Sequence, residues 1–157
     1  MEGSTAQQTN QGHRSRQAFA WGEGSFFEDA EHKRSPGEAL AIRRLFNYCV
    51  GVALLKFGSG YIDGSFSAVF PGVSVRPPIT VFSSGRLRLN FGNLCDEENS
   101  YICRDALADR LREIEAIKSR IPASLRDQTV NVPIDQWGGE VERVIAALEH
   151  MRSKAPI

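Results

Sequence analysis

Neither sign of charge dominates this sequence, because 19 lysines and arginines are matched by 19 aspartates and glutamates. A balanced chain has no overall field that would draw it to nucleic acid, to an anionic membrane or to an acidic substrate. Any recognition based on charge must therefore come from a local group of residues.

Long hydrophobic runs are also missing. The longest apolar stretch, Val50 to Leu55, is interrupted by a glycine and falls far short of the roughly 20 residues that a membrane-spanning helix needs. Residues 1–17 lack the apolar segment of a secretory signal. We therefore expect no membrane partner.

Cysteine and histidine are scarce and isolated. The three cysteines, Cys49, Cys95 and Cys103, are odd in number and form no C-x-x-C pair. We therefore expect a cytoplasmic location and no disulfide framework. The three histidines also stand alone, whereas a zinc site usually takes ligands in closely spaced pairs. The sequence predicts no metal site.

No catalytic or cofactor-binding motif stands out. A phosphate-cradling loop precedes a helix, but the glycines at Gly58, Gly60 and Gly64 stand before a predicted strand. A G-x-S-x-G nucleophile elbow, which needs a strand followed by a helix, is not present there either. We expect no small-molecule cofactor, and the sequence favours a protein that is not an enzyme.

The chain divides by composition into three parts. Residues 1–18 are polar and are predicted to form a flexible tail, because they hold too little apolar surface to offset the entropy of ordering. Residues 19–153 have the size and composition of a single domain. The last residues, 154–157, are expected to fray.

Two helices are predicted before the first glycine cluster. Ser25, with Glu28 three residues later, is typical of the cap of a short helix. Ser35 and Pro36 indicate the start of a longer helix that continues to Gly58. A glycine inside that helix, Gly51, suggests either close packing against a neighbour or a less regular helix, and the run from Val50 to Leu55 is also compatible with a strand.

Three extended segments follow. Residues 65–70 alternate, with Phe66, Ala68 and Phe70 on one face. Residues 79–82 and 86–91 form a predicted hairpin around a tight turn at 83–85, where a glycine can adopt a positive φ.

The remaining pattern predicts a helix over 103–121, a short strand over 129–134 and a last helix capped by Asp135. The predicted order is α-α-β-β-β-α-β-α. It indicates an α+β fold in which three to four helices pack on a small antiparallel sheet of three to four strands.

One locally basic group is a candidate binding surface. Arg86, Arg88 and Asn90 alternate with apolar residues and so share one face of a predicted strand. Arginines at this period can contact successive phosphates, and a nearby aromatic ring can stack on a base. The candidate nucleic-acid-binding residues are Arg86, Arg88, Asn90, Lys56, Tyr61 and Arg76.

Several segments together resemble an uncharacterised bacterial module that is often seen at the C-terminal end of larger proteins with nuclease-like or restriction-type regions. They are Trp21, Ser25 to Phe27, the strings GSGYIDGSF and ITVFSSGRLRLNF, and a helix at Arg104 to Ile117. The resemblance covers residues 21 to 150. It implies an accessory domain linked to DNA processing or to defence against foreign DNA, and it supplies no catalytic residue.

Three functions are consistent with the sequence. The leading hypothesis is a non-catalytic domain that binds nucleic acid or a protein partner. A second is a metal-dependent nuclease, since the element order matches the core of restriction-endonuclease-like enzymes; with no acid on the third strand, Asp63 and Glu38 are its candidate carboxylates. The third is an interaction subunit, such as an inhibitor or adaptor.

Overall fold

A computed structural model describes residues 20–95 and 97–156. The predicted tail, residues 1–18, lies outside the described residues. The helices are α1 (Glu23–Lys33), α2 (Pro36–Val52), α3 (Glu98–Leu111), α4 (Glu115–Lys118), α5 (Ile134–Trp137) and α6 (Val141–Ser153). The strands are β1 (Leu54–Phe57), β2 (Ser65–Val69), β3 (Ile79–Phe82), β4 (Leu87–Leu89) and β5 (Val130–Val132), and 3-10 turns occupy Phe91–Asn93 and Gly138–Glu140.

The five strands form one antiparallel sheet whose order in space is their order along the chain. The α+β prediction is therefore confirmed. The predicted count of three to four strands is wrong by at least one, and the predicted element order is wrong because it omits β1 and the extra short helices. The predicted domain boundary at residue 153 stays a prediction.

The missed strand comes from the end of α2. We predicted a helix to Gly58, but α2 ends at Val52 and the next residue, Ala53, is already extended. Leu54 to Phe57 then pair with β2 at the edge of the sheet, and Leu55 and Phe57 pack against the core. The ambiguous run Val50 to Leu55 is thus helix in its first half and strand in its second.

Of the two explanations considered for Gly51, close packing against a neighbour is wrong, whereas the helix does end one residue later, at Val52. A Cβ placed on Gly51 would have nothing within 4 Å, and the residue is exposed. The glycine therefore reflects no packing demand within the described residues.

Helix starts were predicted with mixed success. Ser35 caps α2 as expected: its Oγ accepts a hydrogen bond from the backbone N–H of Glu38, 3.2 Å away. Ser25 is not the first residue of the cap of α1, because the helix begins two residues earlier, after Gly22; from the third helical position its Oγ accepts a hydrogen bond from the Gly22 backbone N–H at 3.0 Å. Asp135 does not cap α6; it lies in the first turn of α5, which begins after the extended Pro133.

The predicted helix over 103–121 is also divided differently. It begins earlier, at Glu98, ends at Leu111, and is followed by the single turn of α4. Leu111, Ile114 and Ile117 are nevertheless all almost fully buried in the core.

One face of the sheet packs against the helices. Phe66 and Ala68 of β2 are fully buried, as predicted from the alternation, and join Val81 and Leu87 in a core that also includes Phe26 of α1. Aromatic rings from α1, α2, β1 and β2 meet edge to face in this core, with Phe26 and Phe66 centroids 5.3 Å apart.

The other face carries partly exposed, mostly polar side chains. We call it the open face and define it by Leu54, Lys56, Ser65, Ser67, Val69, Thr80, Phe82, Arg86, Arg88, Asn90 and Asn131. The loop at 58–64 and the turn at 83–85 lie together at one end of the sheet, which we call the turn end; the backbone N–H of Ser83 donates to the Gly64 carbonyl there.

None of the helices in residues 20–95 and 97–156 has both the length and the apolar composition that crossing a bilayer requires.

Candidate nucleic-acid interface

The strand register aligns a polar row across the open face. Lys56 lies opposite Ser67, Ser67 opposite Thr80, Thr80 opposite Arg88, and Arg88 opposite Asn131. Neighbouring strands are about 4.8 Å apart, so this row extends over the whole width of the sheet. No acidic residue belongs to the open face as it is defined above.

Two guanidinium groups share one aromatic ring near the turn end. The guanidinium carbon of Arg86 lies 4.0 Å from the centre of the Phe82 ring and that of Arg88 lies 4.7 Å from it. Such cation–π contacts hold a guanidinium plane in place and leave its N–H edge available. The sheet thus presents two oriented arginines side by side.

These two charges lack compensation within the described part of the chain. The Nε atoms of Arg86 and Arg88 are both buried without a hydrogen-bond partner, and no described carboxylate pairs with either guanidinium. Burial, and then repulsion from Arg86, lowers the pKa of Arg88 from its ordinary value. An anion held by the terminal Nη groups of the two arginines would relieve this repulsion.

The side-chain amide of Asn90 is engaged within the protein. Its amide nitrogen donates to the Pro77 carbonyl at 3.1 Å and to Thr80 Oγ1 at 3.2 Å, and Thr80 in turn bonds Ser67 Oγ at 2.9 Å. Both amide hydrogens of Asn90 are therefore used within the protein, one by the connector before β3 and one by β3 itself. On the open face, Asn90 thus holds the connector before β3 and Thr80 in place beside the arginines.

The other three predicted residues are spread out. Lys56 is exposed at the β1 end of the polar row. Tyr61 is half exposed in the loop at the turn end. Arg76 lies in the connector between β2 and β3, at the opposite end of the sheet, and its Nη2 contacts Cys95 Sγ at 3.6 Å. The structure joins Arg86, Arg88 and Asn90 in one patch and leaves Tyr61 and Arg76 outside it.

The first candidate nuclease carboxylate, Asp63, belongs to a local ion-pair network. Lys33 Nζ donates to Asp63 Oδ1 at 2.8 Å, to Asp29 Oδ2 at 2.7 Å and to the Ile62 carbonyl at 2.7 Å. Burial by itself would lower the pKa of Lys33, but the bonds to Asp29 and Asp63 outweigh it, so that pKa lies above its ordinary value. Asp63 fixes the loop at 58–64 onto α1.

The second candidate carboxylate, Glu38, completes the cap of α2. Its Oε1 accepts a hydrogen bond from the backbone N–H of Ser35 at 3.2 Å and lies 3.9 Å from Arg34 Nη1. Over residues 20–95 and 97–156, no three His, Cys, Asp or Glu side chains come together as a metal site would require.

Two features of the site were not predicted. Phe82, which supports both arginines, could have been recognised from the alternation of β3, because Val81 points into the core and its neighbour must point out. A cleft of about 460 Å3 adjoins the open face at Arg86 and is also lined by Arg34 and Arg120. No sequence pattern around Arg120 could have indicated its place in the cleft, because it is far from Arg86 in the chain and only the fold brings the two residues together.

No family model, no curated protein and no solved structure matches this chain. The resemblance to a module of nuclease-associated proteins therefore stays an expectation, and the function has to be inferred from the chemistry of the open face.

Proposed function

We propose that this protein is a non-catalytic binding domain that holds a nucleic-acid strand on the open face. The observation that supports this proposal is the pair of guanidinium groups, Arg86 and Arg88, stacked on Phe82 without a counter-charge among the described residues.

The spacing and chemistry of the pair suit phosphates. Residues two apart on a strand are separated by about 6.6 Å, on the order of the distance between neighbouring phosphates of one nucleic-acid strand. Arginine presents a planar fork of N–H donors that matches phosphate oxygens. Lys56 is a third cation on the same face; it lies across the sheet from Arg88, at the β1 end of the polar row.

The face favours contacts to the backbone over contacts to bases. The ring of Phe82 is already occupied by two guanidiniums, and the neighbouring Ser67 and Thr80 hydroxyls bond each other. Phosphate contacts fix position but read no sequence. We therefore expect binding that tolerates many sequences and weakens as salt increases.

The experiment is a binding titration with fluorescent single-stranded and double-stranded oligonucleotides at low salt. Loss of two phosphate contacts in the double variant Arg86→Ala, Arg88→Ala should weaken binding by about tenfold or more. The matched control is Arg110→Ala, Arg126→Ala, which removes the same charge from exposed positions outside the open face and should stay within about twofold of the wild type.

Circular dichroism and urea unfolding of both double variants show whether the fold is retained. Equal weakening by the two variants would mean that only net charge matters, and the absence of binding by the wild type would reject the proposal.

We further propose the cytoplasm as the location. Cys49, Cys95 and Cys103 are all free thiols, two of them buried, which is the usual state of cysteine in a reducing compartment. The nuclease and the interaction-subunit hypotheses stay predictions, as does a link to defence against foreign DNA.

A further inference from the structure

Arg86 borders two surfaces at once. On one side it lies on the open face above Phe82, and on the other it lines the cleft of about 460 Å3 between the turn at 83–85 and the start of α5. A strand held along the open face would thus reach the cleft without a break.

We propose that this cleft binds a terminal phosphate, the phosphomonoester at the end of a nucleic-acid strand. The inference rests on the proposed function of the open face and extends it from binding the strand to recognising its end.

The charges that line the cleft favour a dianion. Arg120 uses its Nε to donate to Gln136 Oε1 and its Nη1 to donate to the Asn131 carbonyl, 3.3 Å away, and no described carboxylate pairs with it. Arg86 is equally uncompensated. Arg86 and Arg120 thus line the same cleft without a carboxylate partner among the described residues, and a phosphomonoester carries close to two negative charges at neutral pH, whereas an internal phosphodiester carries one.

The acidic residues of the cleft do not cancel these charges. Glu38 is already engaged by the Ser35 backbone N–H and by Arg34. Asp135 is exposed at the rim and is the remaining carboxylate of the lining. With three arginines against these two acids, the lining keeps a net positive charge.

The shape of the cleft fits an end better than the middle of a strand. Its wall contains the turn residue Ser84 and the open-face residue Asn131, both of which can donate hydrogen bonds to phosphate oxygens, while Pro133 and Ile134 contribute an apolar side. A volume of this size accommodates a phosphate with part of a nucleoside. It is too small for a duplex.

The test compares one oligonucleotide in three forms, with a 5′-phosphate, with a 3′-phosphate and with hydroxyls at both ends. At least one phosphorylated form should bind the wild type about tenfold more tightly than the hydroxyl form. Arg120→Gln should abolish this preference and leave binding of the hydroxyl form within about twofold of the wild type.

Arg126→Gln is the matched control. The Arg126 side chain is 87% exposed, and the residue lies before the start of β5, whereas the cleft residues of this region lie after its end. It should keep the full preference. Asp135→Asn, which removes the rim carboxylate, should increase the preference by about twofold.

The outcomes separate the two proposals. Binding of all three forms with equal affinity would overturn the terminal-phosphate site and leave the open face intact, whereas binding of none would reject both. A mononucleotide that binds as tightly as the phosphorylated strand would also overturn strand-end recognition, since the cleft would then hold a free phosphomonoester. Inorganic phosphate should compete weakly and with the phosphorylated form alone.

Discussion

Asp29 and Asp63 both form an ion pair with the ammonium group of Lys33, so both carboxylates have a structural role. Asp29 also accepts a hydrogen bond from Ser83 Oγ at 2.6 Å, and Ser83 Oγ in turn accepts one from the backbone N–H of Gly64 at 2.9 Å. The network joins α1 to both loops of the turn end. Its partners lie up to 54 positions apart in the chain, so local sequence patterns could suggest Asp63 as a candidate ligand but could not reveal Lys33 as its partner.

The two aspartates should differ in their effect on stability. Asp29→Ala leaves the buried Ser83 hydroxyl without its acceptor, and we expect the free energy of unfolding to fall by about 1 to 3 kcal/mol. Asp63→Ala removes a more exposed ion pair and should cost about 0 to 1 kcal/mol. Urea unfolding of both variants measures the difference, and a larger loss for Asp63 than for Asp29 would contradict this description of the network.

The three thiols should react at different rates. Burial raises the pKa of Cys49 to about 12 and also raises that of Cys103, which suppresses the reactive thiolate. Cys95 is half-buried in the loop after β4. A thiol reagent should therefore modify Cys95 first in the native protein and all three cysteines in denaturant. Mass spectrometry of the labelled peptides measures the order, and labelling of Cys49 before Cys95 would contradict this prediction.

At the scale of elements, the alternation of apolar and polar residues predicted the strands better than capping residues predicted the ends of the helices. The period-two pattern of β2 and the turn at 83–85 correctly predicted a buried face and a hairpin, because each depends on residues adjacent in the chain. The end of α2 depended on β2, which offered Leu54 to Phe57 backbone partners that no local pattern displays. That Arg86 and Arg88 share one face of a strand was predictable for the same reason as the hairpin. The cleft beside them was not, because its lining includes residues of α5 and Arg120, which are distant from β4 in the sequence.

Two glycines provide a matched test of these element assignments. Gly85 has φ +97°, and a Cβ added there would lie 2.7 Å from Ile134 Cβ, so Gly85→Ala should lower the free energy of unfolding by about 2 to 4 kcal/mol. Gly51, exposed near the end of α2, has open space around it, and Gly51→Ala should raise that energy by up to about 1 kcal/mol. Thermal or urea unfolding measures both, and a stabilised Gly85→Ala variant would be incompatible with the hairpin described here.

At the scale of the whole molecule, a chain with no net charge concentrates uncompensated cations on one side of a sheet. The helices bury one face of the sheet in the core, and the open face retains Lys56, Arg86 and Arg88. The even composition thus conceals a local asymmetry. Composition shows only that the charges balance, and the pairing of five strands shows that these cations share a surface.

This asymmetry predicts a shallow salt dependence. If Lys56, Arg86 and Arg88 each contact one phosphate of a single strand, the logarithm of the binding constant should fall with the logarithm of salt concentration with a slope of about −2. The double variant Arg86→Ala, Arg88→Ala should reduce the slope to about −0.7. Titrations at several salt concentrations measure it, and a slope that is unchanged in the variant would place the phosphate contacts elsewhere.

The two tryptophans of the chain also have a spectroscopic consequence. Trp21 donates its indole N–H to the Gly60 carbonyl at 2.9 Å, and Trp137 donates its own to the Gly85 carbonyl at 2.8 Å, so each fluorophore is attached to one loop of the turn end. Gly85 is the residue directly before Arg86. Emission from Trp137 should therefore change when a ligand fills the neighbouring cleft, while emission from Trp21 reports on the other loop, and Trp→Phe variants would separate the two signals without any added label.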